Sequence, residues 1–233
     1  MAERMRVLIT VKTYPLPSTK YGELVCTAGV REDGSFVRLY PIDYRYREYW
    51  EWYEKYQWIE VDVDKHPKDP RPESYRPVGE IALIGKPIPP AGTWAERRKY
   101  ILARGPSVMC ELRQRKQSEV SFAIVKPAEV LDFVAEPTDR EWKPEWVANF
   151  KQLRLFGPDR KPLEKIPYKF MYKFICGAPG CKGHKMMIED WEVGMLYRRM
   201  RDEHADESVA CQKVRQTFFD KICGSDRDTY FFV

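Results

Sequence analysis

Two cysteines and a histidine fall within nine positions of FICGAPGCKGHKMMIEDWE, the stretch from Phe174 to Glu192. Nothing else in the chain constrains the fold as much. Three donors of this kind on one short loop point to a metal ion, and an ion fixes the backbone that carries its ligands. Cys176 and Cys181 flank Gly177-Ala178-Pro179-Gly180, residues that let a chain turn sharply, and His184 lies three positions further on. The flanking runs read as strands. YKFMYKFIC alternates, placing Tyr168, Phe170, Tyr172 and Phe174 on one face, and HKMMIE follows the loop. The expected unit is a zinc knuckle at the tip of a hairpin. Its C-x4-C-x2-H spacing lies within the range of zinc loops, without the helical half of a Cys2His2 finger.

A structural zinc needs a fourth donor. From His184 the strand runs about 17 Å away from the tip over five residues. A helix of about 13 residues, capped by Asp190, spans about 20 Å and can pack back across the hairpin. Its end, near His204, returns to the loop, and Cys211 lies in the first turn of the next helix. A helix N-terminus stabilises a thiolate, so Cys211 is the expected fourth ligand, with His204 as the alternative. An open position would instead make a catalytic centre, with Glu189 or Glu192 as general base. Two thiolates damp the Lewis acidity, which favours a structural ion. The first helix carries Val193, Leu196, Tyr197 and Met200 at helical spacing. The second carries Cys211, Val214, Phe218 and Ile222, with Gly224 as a stop, and TYFFV reads as a strand.

The first third is β-rich. RVLITVK, ELVCTAGV, SFVRLYP, WIEVDVDK and EIALIGKPI read as strands, with Asp33-Gly34 as a hairpin signal. Tyr46 to Tyr56 reads as a short helix. Short strands around tight turns predict a bent sheet or small barrel. Glu60, Asp62 and Asp64 share one strand face, which fits either a solvated surface or a Mg²⁺ site; simple alternation accounts for it without chemistry. The middle reads as helical. Thr93 with Glu96 has capping-box spacing, a second helix covers VMCELRQRK, Ser121 to Pro137 returns to strand, and a third helix covers residues 143–156. The loop GPDRKPLEKIP sets the expected boundary. Residues 1–156 form a β-rich domain with a basic helical segment, and 157–233 form the metal-knuckle hairpin with two helices. The fold class is α+β.

Charge gives the functional lead. Between Glu96 and Gln117, Arg97, Arg98, Lys99, Arg104, Arg113, Arg115 and Lys116 face only two acids, so this segment holds the whole net charge of +5. Arg97, Arg98, Lys99, Arg113, Arg115 and Lys116 are the expected nucleic-acid contacts, through phosphates. The aromatic and arginine-rich run YPIDYRYREYWEWYEKYQW suits stacking on unpaired bases. The reading is a cytoplasmic RNA- or DNA-binding protein with structural zinc. A metal-dependent nuclease or base-modifying enzyme is the first alternative, and a protein-interaction module the second. No apolar run reaches the length of a membrane span, and the N-terminal stretch lacks a secretory signal's apolar core. Nucleophile-elbow, G-x-G-x-x-G and P-loop patterns are absent, so serine-hydrolase and nucleotide-hydrolase readings have no support. Six cysteines in 233 residues are too sparse for a disulfide scaffold.

Overall fold

Alternation of β-branched residues builds the N-terminal sheet. In β1 (Glu3–Lys12) Met5, Val7 and Ile9 point to one side and are buried. The sheet adds β2 (Leu16–Ser18), β3 (Gly22–Val30), β4 (Phe36–Ile42), β5 (Trp58–Lys65) and β6 (Ser74–Ile84). The strand order is β1-β5-β6-β4-β3-β2, and β1 also pairs with β3, so five strands close on themselves. Closure removes the free edges that an open sheet would expose. Val25, Val37, Leu39, Ile59, Val61, Val63 and Ile81 fill the interior with the β1 residues. The computed structural model describes residues 2–18, 22–65, 69–116, 119–148 and 163–233.

The segment expected as a helix from Tyr46 to Tyr56 contains only two 3-10 turns, Tyr44–Tyr46 and Tyr49–Glu51. Tyr53 is fully buried in the barrel core, with its hydroxyl 2.5 Å from Thr27 Oγ1, and Tyr44 packs edge-on against it. Placing both rings inside overrides a regular helix. The expected Thr93–Glu96 capping box is also absent. In α1 (Ala91–Ile101) Gly92, Thr93 and Trp94 all take left-handed backbone angles, so Thr93 does not cap, and its hydroxyl donates to the Gly92 carbonyl.

The second half is a three-stranded sheet covered by helices. After α2 (Met109–Leu112) and β7 (Ile124–Val125), the sheet contains β8 (Glu129–Pro137), β9 (Tyr168–Ile175) and β10 (His184–Met187), in the order β10-β9-β8. The expected domain boundary at 156/157 lies outside the described residues, as does most of the helix expected over 143–156. β8 pairs with β9 along its length, so this sheet joins chain from both sides of that position. Two helices, α3 (Trp191–His204) and α4 (Glu207–Arg215), cover the sheet. Val193, Tyr197, Ala210 and Val214 bury against Phe133, Phe170, Tyr172 and Phe174. Asp190 caps α3 by accepting from the Glu192 amide, and Asp206 caps α4 in the same way. α4 then continues as a π turn over Gln216–Lys221. The looser turn rotates Ile222 off the helical stripe and leaves it 45% exposed. Finally β11 (Phe231–Phe232) pairs with β7. No helix among the described residues is long and apolar enough to cross a membrane.

Candidate metal centre

The loop between β9 and β10 is shaped by its own residues. Cys181 N donates to Ala178 O at 3.0 Å, with Pro179 and Gly180 between them. Gly180 has φ 72°, which a type II turn demands at its third position and which favours glycine. The turn brings Cys181 back beside Cys176, and His184 starts β10 directly opposite Phe174. The three residues picked out by spacing therefore converge.

The fourth donor is Cys110, the second residue of α2. The Sγ atoms of Cys110 and Cys176 are 3.5 Å apart, and those of Cys176 and Cys181 are 3.6 Å apart. His184 Nε2 lies 3.5 Å from the Cys110 sulfur and 3.4 Å from that of Cys181. All four donor atoms fall within 4.8 Å of one another. A tetrahedral zinc with bonds of ~2.3 Å to sulfur and ~2.0 Å to nitrogen has edges of about 3.8 Å and about 3.5 Å. The donors thus fit one ion in type, number and spacing. Cys176 and His184 are each only 6% exposed. The imidazole packs on Phe174, and its Nδ1 is buried with no hydrogen-bond partner, so the Nε2 side is the one that the sulfurs engage. Four protein donors leave no position for a reacting water, which is the pattern of a closed, structural site.

The thiols do not share one environment. Burial works against the Cys176 thiolate, but the Ala178 amide, His184 and Cys110 stabilise it and bring the thiol down to about 6. Hydrogen bonding to Cys176, and then burial, push Cys110 up to about 11.

The expected fourth ligand, Cys211, is not part of the group. It lies on α4 within the helix–sheet core, where burial, and secondarily Glu207, push its thiol up to about 11. His204 is exposed at the end of α3. The helices pack on the face of the sheet, so their ends do not return to the loop tip. Spacing carries no signal for Cys110, 66 positions before Cys176. The nearest hint is the Gly105-Pro106 break before it, after which Ser107 bridges β7, its N donating to Ile124 O at 2.7 Å, and α2 begins. Glu189 and Glu192 sit beyond the far end of β10, about 17 Å or more from the donors by strand length.

The basic segment divides. Arg97 is 9% exposed, its guanidinium stacked over Tyr56 and Trp94 and its Nε donating to Ile88 O at 2.7 Å. It is a packing residue and not a phosphate contact. Arg98 pairs with Asp228 at 2.7 Å, and Lys99 is exposed. α2 is a single turn, so the helix expected over VMCELRQRK ends at Leu112. Arg113, Arg115 and Lys116 follow it, all exposed. The carboxylate row is taken up by arginines: Glu60 and Asp62 pair with Arg4, and Asp64 pairs with Arg76.

The sequence reading missed a partly buried ionic cluster where the two halves meet. Lys12 is 8% exposed, with its ammonium over the rings of Tyr44 and Trp191 and 3.2 Å from the Tyr44 hydroxyl. Burial lowers its pKa. Lys55 bridges Asp190 and, at 2.6 Å, Glu192. Burial, then the hydrogen bond with Asp190, push Glu192 up to about 7. The only trace of this cluster in sequence is a lysine ending an apolar strand.

Two family models match the chain, each described as a domain of unknown function: DUF8758 over residues 3–103 and DUF8757 over residues 106–233. All four donors lie within the second match. No curated protein matches the chain.

Proposed function

The chain belongs to the family described as Domain of unknown function (DUF8757), a description that carries no activity, and from the geometry of the site we propose a nucleic-acid-binding protein built around a structural zinc centre. Cys110, Cys176, Cys181 and His184 hold the ion as a closed knuckle at the β9–β10 tip. The observation that carries this reading is the convergence of three sulfurs and one imidazole nitrogen at tetrahedral spacing, from segments far apart in sequence. Zinc is the metal that this soft donor set and geometry suit best. The nucleic-acid part rests on exposed, uncompensated bases beside the centre, which suit phosphates.

Elemental analysis of purified protein tests the first part. About one zinc per chain is expected, lost in Cys181→Ser; a metal-free wild-type protein refutes it. A salt titration against single-stranded and duplex DNA and RNA oligonucleotides tests the second. Absence of binding at low salt refutes it and favours the protein-interaction reading. One observation supports that competitor: Tyr49 and Trp50 stand 82% and 71% exposed on one turn.

A further inference from the structure

Exposed bases stand around the loop tip of the metal centre.

Among the described residues every arginine but three makes an ion pair with a carboxylate. Of the three, Arg97 is buried on aromatic rings, and the others are Arg113 and Arg115. Lys116 beside them and Lys182 in the loop are exposed and also make no ion pair among the described residues. The exposed arginines without an ion pair therefore both stand beside the centre, with Lys116 and Lys182, whereas the other exposed lysines that make none, such as Lys86, Lys143 and Lys213, come from segments apart from it. Arg113 lies one helical turn, about 5 Å of rise, after Cys110. Lys182 directly follows Cys181. With the donor atoms of Cys110 and Cys181 within 4.8 Å of each other, the two sets of bases share one end of the molecule.

What holds the first set there is weak apart from the centre. α2 has four residues, far too few to be stable alone. Upstream it is fixed by the Ser107 bond to β7 and by buried Met109. Downstream, residues 113–116 make only local turn bonds, such as Arg115 N to Leu112 O at 3.1 Å.

We propose that the ion works as a clamp: by tying Cys110 to the hairpin tip it presents Arg113, Arg115, Lys116 and Lys182 as one phosphate-binding face, so that metal loading sets affinity for nucleic acid. This rests on the nucleic-acid reading above. The face excludes Arg97 and draws nothing from Arg98, which is already paired. The centre itself, three thiolates on a divalent ion, carries a net charge of −1, so the bases must reach outward past it, as long arginine and lysine side chains do.

The test compares metal-loaded and chelated full-length chain with loaded Arg113→Glu/Arg115→Glu/Lys116→Glu, using fluorescent single-stranded and duplex oligonucleotides from 50 to 200 mM salt. Four phosphate contacts give a log–log salt slope of about −3.6 on duplex DNA, or about a hundredfold loss of affinity over that range. Chelation is expected to weaken binding about tenfold at 50 mM salt. The triple variant, whose four donors are intact, should retain its metal and reduce the salt slope to about −1. Arg98→Gln should bind as wild type. Binding by the loaded chain that neither chelation nor the triple substitution weakens overturns the clamp and leaves the nucleic-acid reading standing. If chelation unfolds the chain, as circular dichroism would show, the triple variant alone decides. No binding by the loaded wild-type chain at 50 mM salt overturns both.

Discussion

Cys110 is the one donor from outside the hairpin loop, and replacing it with serine separates holding an ion from being stabilised by one. The centre links residue 110 to residue 176, closing a segment of 66 positions. Treated as a cross-link, that closure removes about 14–15 cal/mol/K of entropy from the unfolded chain, equivalent at 25 °C to about a thousandfold in the folding equilibrium. The links from Cys176 to Cys181 and from Cys181 to His184 span 5 and 3 positions, within a hairpin that β9 and β10 already close, so they add much less. Urea unfolding of loaded Cys110→Ser should therefore show about a thousandfold lower folded-to-unfolded ratio than loaded wild type. With a chelator present the two should nearly coincide, because without an ion Cys110 is a small, half-buried side chain. The serine variant should still bind metal weakly, since three donors remain on the loop. Cys211→Ser, which alters a core position on α4, should cost the same with and without chelator. The reasoning fails if Cys110→Ser costs as much in chelator as in zinc, or if the cost of Cys211→Ser is the one that chelator removes.

Two more outcomes follow from the junction. Gly194→Ala should lower the urea midpoint although alanine favours helix by about 1 kcal/mol, because the new Cβ would stand 2.4 Å from the Tyr14 ring; a net cost of about 1–3 kcal/mol is expected, and a stabilised variant refutes the close packing of α3 on that strand end. Glu192 is raised by burial from 4.5 to about 7, so the folded chain binds a proton in that window that the unfolded chain releases. Its contribution is present in full below about pH 4.5 and is lost as pH rises through about 7. Glu192→Gln should flatten the stability–pH curve over that range, modestly because the side chain is 47% exposed, and an unchanged slope in thermal unfolding would count against it.

How far the site was legible depended on sequence distance. Cys176, Cys181 and His184 converge through a turn whose Pro179-Gly180 chemistry is local, so spacing alone placed them together. Cys110 was not legible, because its position depends on Ser107 bridging β7 just before α2, a tertiary contact with no periodic trace. The preference for Cys211 assumed that α3 runs the length of the hairpin and returns to the tip. Instead Val193 and Tyr197 bury against the sheet face, and α3 ends at exposed His204. Arg97 was misread for a related reason. An arginine between charged neighbours looks solvated, yet Tyr56 and Trp94 provide two ring faces that take the guanidinium inward. β1, β3, β4 and β5, rich in apolar and β-branched residues, were legible as strands; β2 (Leu16–Ser18) and the start of β6 at Ser74, both beside prolines, were not. Nor was the stretch from Tyr46 to Tyr56, where Tyr53 packs inside the barrel while Tyr49 and Trp50 face out, which follows no helical period.

The metal centre and the ionic junction lie at opposite ends of β10, and that separation assigns them different work. One set of attachments between the halves gathers just after the strand: the Tyr14 amide donates to Glu189 O at 2.7 Å, Thr13 bridges Asp190, and Lys55 holds Asp190 and Glu192. The donors sit at the start of the strand and just before it, at a tip that the N-terminal barrel's ion pairs do not reach among the described residues. Between them, four residues of β10 pair in register with β9 from Phe174 to Met171. Loss of the ion therefore acts on α2 and the bases after it, which keep the Ser107 bond and the buried Met109 side chain but lose the tie to the hairpin tip. Loss of the junction acts on the docking of the barrel. A ligand gripped at the tip would leave the barrel's seating untouched, which is the arrangement expected if the second half carries recognition and the first half carries the rest of the fold's stability.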